Sequence, residues 1–425
     1  MSSELTCPNR ISGPEREGAK AGARSIMLLG GSRHQVPAIE AANRLGYRTV
    51  LCDYLPDNPG QYVADVFYQQ STTDRELMLE IAHEEGVSGV LSFGSDVAAP
   101  TASYIAEDMG LPGNPLKSVE ILSEKYLFRP YLAEHGFNSP KSASFSKDET
   151  PEQVLAHAEG MHFPVLLKPT DSSGSRGVSV LREHSVEALA AALDYAREFS
   201  RNGILVLEEF IEYSFPHLIG GDIFVAEGQV RFWGLMSCLR DKKLAALVPV
   251  GKAYPAGLSI EQDCALKEEV QKLVSSLSLQ FGEMNLEVIM GPEGKPYIVE
   301  FGARAGGNMI PLQLQDISGI NLVEALVRYT MGEGPLDVTF EGNDKVVATS
   351  VLHASKTGVF QCVSYAEELE PYIYRDMVYV EPGDHVEKLN YGSKAIGLVF
   401  LKFDSAEQMW DILNRISDLI DVEVA

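Results

Sequence analysis

The stretch from Met284 to Pro311, MNLEVIMGPEGKPYIVEFGARAGGNMIP, narrows the possible folds of this chain more than any other. Two apolar runs, NLEVIM and PYIVEF, flank GPEGK, which predicts a β-hairpin with one acid on each strand, Glu287 and Glu300. With Glu293-Gly294 as a two-residue type I′ turn, Glu287 falls directly opposite Glu300, side chains on one face roughly 5 Å apart. Like charges so placed destabilise a sheet unless a cation lies between them. Hard carboxylate oxygens suit Mg²⁺ (or Mn²⁺), which completes its shell with water and substrate phosphates. Arg304, in the following GARAGGN, puts a fixed cation beside that position. The competing reading is a solvent-facing hairpin with two incidental acids, and the rest of the chain has to choose between them.

At 425 residues the length prior is about three domains of ~150 residues. A net charge of −25 disfavours sequence-independent binding to nucleic acid or anionic membrane, because both need clustered Lys and Arg. No apolar stretch approaches the ~18 residues of a membrane span, and the N-terminus lacks a signal-peptide core. The five cysteines are scattered without CxxC or Cys/His ligand spacing, as expected of reduced thiols in a cytoplasmic protein.

Residues 1–24, rich in Gly, Pro, Ser and charge without periodicity, predict a disordered tail. Then SIMLLGG, QVPAIEAANRLGY and RTVLCDY form a β-α-β unit, expected to be right-handed and parallel. ADVFYQQ, RELMLEIAHEEG and GVLSFGSD continue the alternation, so residues 25–115 predict a small doubly wound α/β domain. Its Gly30-Gly31-Ser32 turn admits either packing or weak substrate binding. Between 145 and 212 the pattern is α+β. Lys168 lies there in the otherwise apolar strand FPVLLKP, and a buried lysine needs an anionic partner. The loop Ser172-Ser173-Gly174-Ser175-Arg176-Gly177 follows, small and rich in donors, whose backbone N–H groups can wrap phosphate oxygens; a plain hairpin turn would use the same residues. GILVLEEFI ends on Glu208 and Glu209. Residues 219–260 alternate apolar and polar, predicting an antiparallel sheet turning at Glu227-Gly228. Residues 345–425 return to strands and a final helix, expected as a third, α/β unit.

Taken in order, SEKYLFRPYLAEHG, FPVLLKPTDSSGSRGV, VLEEFI and NLEVIM…YIVEFGARAGG resemble the motifs of the ATP-grasp superfamily, over essentially all of residues 25–425. The likeness is greatest to its carboxylate–amine ligase branch, which includes L-amino-acid ligases and is related to biotin carboxylase and carbamoyl-phosphate synthase. It implies an α/β ATP-grasp fold: an N-terminal doubly wound α/β (pre-ATP-grasp) domain (25–115), a central α+β ATP-grasp domain (116–335, with a lid over 145–212) and a C-terminal α/β unit (336–425). The implied cofactors are ATP and Mg²⁺ (or Mn²⁺). Lys125 and Lys168 would contact the phosphates, with Ser172, Ser173, Gly174, Ser175 and Gly177 folding over them. Glu208 and the backbone of Phe210 and Ile211 would meet the adenine, and Glu209 or Glu212 the ribose. Glu287 and Glu300 would hold the metal, and Arg304 would stabilise an acyl-phosphate.

The pattern departs from the family at two places. The family's usual Asn two residues after the second acid is Gly302 here, and Asn285, its cross-strand partner on the turn above, is the candidate to supply the missing amide oxygen; Asn308 is a second. The acid-containing segment after the adenine strand is replaced by YSFPHLIGGD, which leaves His217 and Asp222 without an assigned role. The resemblance implies amide or peptide bond formation between a small-molecule carboxylate and an amine, releasing ADP and phosphate. Homodimerisation fits the family and has no sequence signature. A bicarbonate-using carboxylase of the same fold, and an ATP-binding protein whose catalysis has lapsed at Gly302, are the rival expectations.

Overall fold

The computed structural model describes residues 10–12, 22–172, 176–240, 248–390 and 392–425. Ser173, Gly174 and Ser175 lie outside the described residues, as do positions 1–9 and 13–21 of the expected tail. Arg10–Ser12 is a short strand, β1, which corrects the tail expectation at those three residues.

Four further strands, β2 (Ser25–Leu29), β3 (Arg48–Asp53), β4 (Val66–Gln69) and β5 (Val87–Leu91), are continuous apolar runs. They pair in parallel in the order β4-β3-β2-β5, with β1 antiparallel on the outer edge. Helices α1 (Val36–Arg44), α2 (Arg75–Glu84) and α3 (Ala99–Asp108) cover the two faces, as parallel strands require when both faces are apolar. Asp53 closes the Gly-Gly turn from below, accepting the Gly31 N–H at 2.7 Å. That turn is packed tightly: a Cβ at Gly31 would lie 2.1 Å from the Asn58 amide.

Helices α4 (Leu116–Ser123) and α5 (Lys125–Glu134) lead to a four-stranded antiparallel sheet, β6 (Ser142–Ser146), β7 (Val165–Pro169), β8 (Ser179–Leu181) and β9 (Ile204–Glu209), in the order β6-β9-β7-β8. Two helices, α6 (Pro151–His157) and α7 (Val186–Arg197), pack on one side of it.

The largest sheet has eight strands in the order β14-β13-β10-β11-β12-β15-β19-β17. It contains β10 (Leu218–Ala226), β11 (Gln229–Arg240), β12 (Pro249–Tyr254), β13 (Phe281–Met290) and β14 (Pro296–Gly302). Glu227 and Gly228 turn β10 into β11 with φ of 53° and 74°. Helix α8 (Ile260–Ser276) lies under the sheet, where Leu266, Val270 and Leu273 pack with Leu286, Val288 and Phe301. After α9 (Ile310–Ser318) and α10 (Leu322–Thr330), β15 (Val346–Leu352), β17 (Ile373–Val378) and β19 (Gly397–Phe403) extend the same sheet. The C-terminal stretch therefore shares its main sheet with the centre of the protein. It adds only a small sheet of its own, in which β16 (Gly358–Tyr365) lies between β18 (His385–Val386) and β20 (Ile420–Val424).

Candidate active site

The hairpin β13–β14 places Glu287 opposite Glu300 and Asn285 opposite Gly302, the predicted register. The route to it differs. Glu293 and Gly294 take left-handed conformations (φ 59° and 71°), and the Lys295 N–H reaches the Pro292 carbonyl at 3.2 Å, as a type I′ turn requires. The ladder, however, resumes only at Met290–Pro296, one residue out of step with that turn, and a bulge at Val299 restores the phase before the acids are reached. A bulge leaves its extra residue unpaired, and the Val299 carbonyl is taken instead by Arg129 Nη2 at 2.9 Å. Leu286 and Phe301 point into the core, so period-two alternation directs Glu287 and Glu300 to the opposite face.

That face looks across an open cleft at the four-stranded sheet. Lys125, Lys168, Ser172, Glu208, Glu209, Phe210, Ile211, Glu287 and Glu300 all line it, with an apolar wall of Leu166, Leu218, Ile289 and Val299. Glu212 is exposed beyond the strand end and is not among the lining residues. Gly177 (φ 73°) packs against Pro169, where a Cβ would meet the ring at 2.8 Å, so its role is in the loop's return.

Burial explains the electrostatics. Lys168 bonds to Glu208 Oε1, and the buried Arg129 donates Nε to Glu208 Oε2 at 2.8 Å. Burial pushes the Glu208 carboxyl up, but the Arg129 guanidinium and the Lys168 ammonium outweigh it and hold it at about 2. Burial pulls the Lys168 ammonium down and Glu208 only partly compensates, leaving it at about 8. Both carboxylate oxygens of Glu208 are thus committed to cations of the protein itself. Phe210 spends its N–H on the Pro164 carbonyl at 3.0 Å, and Glu209 accepts the His162 N–H at 2.8 Å. Lys125 lies at the start of α5, its Nζ 3.2 Å from the Ser172 carbonyl.

Arg304 does not line the cleft. Its Nε and Nη2 form a two-pronged pair with Asp96, each at 2.7 Å, and Nη1 reaches the Ala305 carbonyl at 3.1 Å, with Glu300 at 3.8 Å. Burial opposes the Arg304 charge, and Asp96 raises it well above the ordinary range. On the other flank, Arg240 Nη2 stands 3.7 Å from Glu287. Asn285 commits its amide nitrogen to the Gly221 carbonyl (3.0 Å) and to Asp222 (2.8 Å). Asp222 also accepts the Gly306 N–H at 2.7 Å, so its part is to pin the glycine segment behind Arg304. Asn308 has φ of 50° at the approach to α9. His217 stacks on Trp410, with centroids 4.7 Å apart.

Among the described residues no three His, Cys, Asp or Glu side chains converge as a metal cage. Two facing carboxylates, each flanked by an arginine at nearly 4 Å and not neutralised by direct contact, suit a hard cation that takes its remaining ligands from phosphate. The residues present fit Mg²⁺.

Sequence inspection overlooked Arg129, Asp96 and Arg240. Arg129 was findable, since it stands one helical turn after Lys125 on the same face. Asp96 follows the C-terminal end of β5, the end of a parallel strand where doubly wound folds gather their ligand contacts.

Residues 124–337 match the family model described as carbamoyl-phosphate synthase L chain, ATP binding domain. The carbamoyl phosphate synthase large chain of Thermotoga sp. (strain RQ2) is 23% identical over 309 residues, which cover 69% of this chain but 27% of that one, so the protein spans about a quarter of that relative's length. The uncharacterized protein y4rH of Sinorhizobium fredii is 24% identical, over 99% of this chain and 88% of its own. Among solved structures, L-amino acid ligase from Bacillus licheniformis superposes with a TM-score of 0.76 at 21% identity, covering 95% of this chain and 99% of that one. Phosphoribosylglycinamide synthetase from Anaerococcus prevotii gives 0.72 at 19%, covering 95% and 100%. The biotin carboxylase domain of Hydrogenobacter thermophilus 2-oxoglutarate carboxylase, in complex with MgADP, ADP and bicarbonate, gives 0.70 at 18%, covering 94% and 91%. With the family model spanning half of the chain, the chain belongs to the ATP-binding domain family of the carbamoyl-phosphate synthase large chain, and its fold is the ATP-grasp fold.

Proposed function

We propose that the protein is an ATP-dependent carboxylate–amine ligase that forms an amide through an acyl-phosphate and releases ADP and phosphate. One observation carries the reading: a single cleft between two sheets joins two lysines, an apolar wall with a strand end, and a facing pair of acids. The apolar wall accepts a purine, with the Phe210 carbonyl and the Ile211 N–H as the backbone groups of the strand end. Lys125 and Lys168 bind the phosphates, with the Ser172 carbonyl beside Lys125. Glu287 and Glu300 would hold Mg²⁺, which supplies charge neutralisation at the phosphates when bound; Asn285 is the neighbouring amide.

A carboxylate resists attack by an amine because its leaving group would be oxide. Phosphorylation by the γ-phosphoryl of ATP breaks the terminal P–O bond, forms a C–O–P linkage and releases ADP. The amine then adds to the acyl carbon, phosphate leaves, and the amine loses a proton. No side-chain nucleophile is needed. The protein positions the groups, neutralises charge and excludes water. Arg304 acts from behind Glu300, fixed by Asp96, and takes part in the chemistry only through that short distance.

The test is a matrix of carboxylates against amines, read by phosphate release and product mass. ADP, phosphate and an amide are expected; AMP and pyrophosphate overturn the reading, and ADP release driven by bicarbonate with no amine identifies a carboxylase instead. A second measurement needs no substrate. Since Lys168 is held at about 8, phosphates placed beside it raise that value. MgATP binding at pH 8 should therefore take up a proton, seen in calorimetry as a heat that varies with the buffer's ionisation enthalpy. Lys168→Met should remove that dependence, and a buffer-independent heat in the unaltered protein would place the phosphates elsewhere.

A further inference from the structure

The face that carries Glu287 and Glu300 continues across the large sheet to donors that the reaction above leaves idle. Glu287 pairs with Gly220 on β10, Cys238 on β11 pairs with Lys252 on β12, and Lys252 pairs with Thr349 on β15. Lys252 is 8% exposed, and its ammonium donates to the Cys238 sulfur at 2.9 Å. Among the described residues no carboxylate forms an ion pair with it. The ammonium lies over Gly220, the strand neighbour of Glu287: a Cβ there would stand 2.6 Å from Cys238 Sγ and 2.9 Å from Lys252 Nζ. Beyond it, the Thr349 hydroxyl donates to Gln313 Oε1 at 3.3 Å. Gln313 is 1% exposed, and among the described residues its Nε2 is buried without a partner, as is Nη1 of Arg240 beside Glu287.

Buried cations and amide donors are normally matched. Here Lys252 has a thiol as its hydrogen-bond partner and no carboxylate, and among the described residues a glutamine N–H₂ and an arginine N–H near it lack acceptors. Burial pulls the Lys252 ammonium down, but Cys238 and Glu287 raise it above its ordinary value, so it is a cation at neutral pH. The triphosphate does not account for it, because Lys125 and Lys168 face the acids from the opposite sheet. Strands lie about 4.8 Å apart, which sets β12 three strands, about 14 Å, from β13. A lysine stem spans only part of that distance back, so the ammonium meets a group several ångströms from the reacting carboxyl.

We propose that Lys252, flanked by Gln313, holds a second anionic group on the carboxylate that is activated, so that the substrate is a dianion: a dicarboxylate or a phosphorylated carboxylic acid. This rests on the ligase reading. The test uses the full chain with MgATP and ammonium, and compares propionate with succinate and glutarate and with 3-phosphoglycerate, reading phosphate release. One dianion class should exceed propionate by about 10-fold or more, and which class does so separates the two sources of charge. Lys252→Met should raise that substrate's half-saturating concentration by about 10-fold or more without moving that of MgATP, and Lys252→Arg should recover part of the loss. Removing a buried cation that no carboxylate pairs directly should leave the melting temperature near that of the parent. Equal use of propionate, or a Lys252→Met protein that melts well below the parent and loses all substrates alike, overturns the proposal. If no carboxylate releases phosphate, the ligase reading fails by itself. Calorimetric binding of succinate or 3-phosphoglycerate to the MgADP form then decides the anion site: binding lost in Lys252→Met sustains it, and no binding overturns it.

Discussion

Glu300→Gln is expected to lower ATP-dependent phosphate release by about 10²-fold or more, and to raise the Mg²⁺ concentration for half-maximal rate by a similar factor. Removing one preorganised charge from a site where charge moves costs about that much. The amide keeps the shape of the side chain and its place opposite Glu287. What it loses is the charge balancing Arg304 at 3.8 Å and half of the hard anionic pair. A titration of rate against Mg²⁺ at fixed ATP measures this. Glu293→Gln, at the exposed hairpin tip beside Lys295, should leave the curve where it was. If Glu300→Gln also leaves it within about twofold, the two acids are surface residues and the cleft binds its ligand without metal.

Arg129→Met should be the most destabilising single change near the cleft, by about 3–5 kcal/mol, because it strips a fully buried carboxylate of one of its two cations. Lys168 and Arg129 together give the buried cluster with Glu208 a net positive charge. Without Arg129 the cluster is neutral, and MgATP affinity should fall by about 10-fold or more. Denaturant unfolding and calorimetry report the two effects separately. The pH dependence has a definite sign. Glu208 is held at about 2, below the roughly 4.3 of an unfolded chain, so its stabilisation is complete above that higher value and lost as pH falls toward 2. The stability gap between parent and variant should therefore narrow over that window. A gap below about 1 kcal/mol at neutral pH would show that Lys168 alone suffices to hold Glu208.

The lysines, the acids and their facing register were readable from local pattern, because an apolar strand interrupted by Lys168 and a hairpin with one acid per strand are both short-range signals. The partners that set their chemistry were not. Asp96 meets Arg304 across more than two hundred residues, and Arg129 reaches Glu208 and Val299 from a helix whose other residues look like ordinary core. Such pairings depend on how the units dock, which periodicity does not encode. The register shows the limit of local reading from the other side. The turn residues were right, yet two one-residue irregularities lay between the turn and the acids, and they cancel. Lys252 carries the same signal as Lys168, a lysine inside an apolar strand, but lies outside every family motif of the chain.

The bulge at Val299 separates two tasks within one hairpin. Its base, where the Asn285 N–H meets the Arg304 carbonyl at 2.9 Å, fixes the phase of the acids. Its tip is relieved of that alignment and serves a neighbour: the Met290 carbonyl accepts the Ser214 N–H at 2.7 Å, and Gly291 packs beside Ile211, which ties the end of β9 to the hairpin. Three residues of strand, about 10 Å, separate Met290 from Glu287. Under the nucleotide reading the hairpin works as a gauge. One end sets where the purine stops and the other where the charges begin, and the interval between them is a fixed length of backbone.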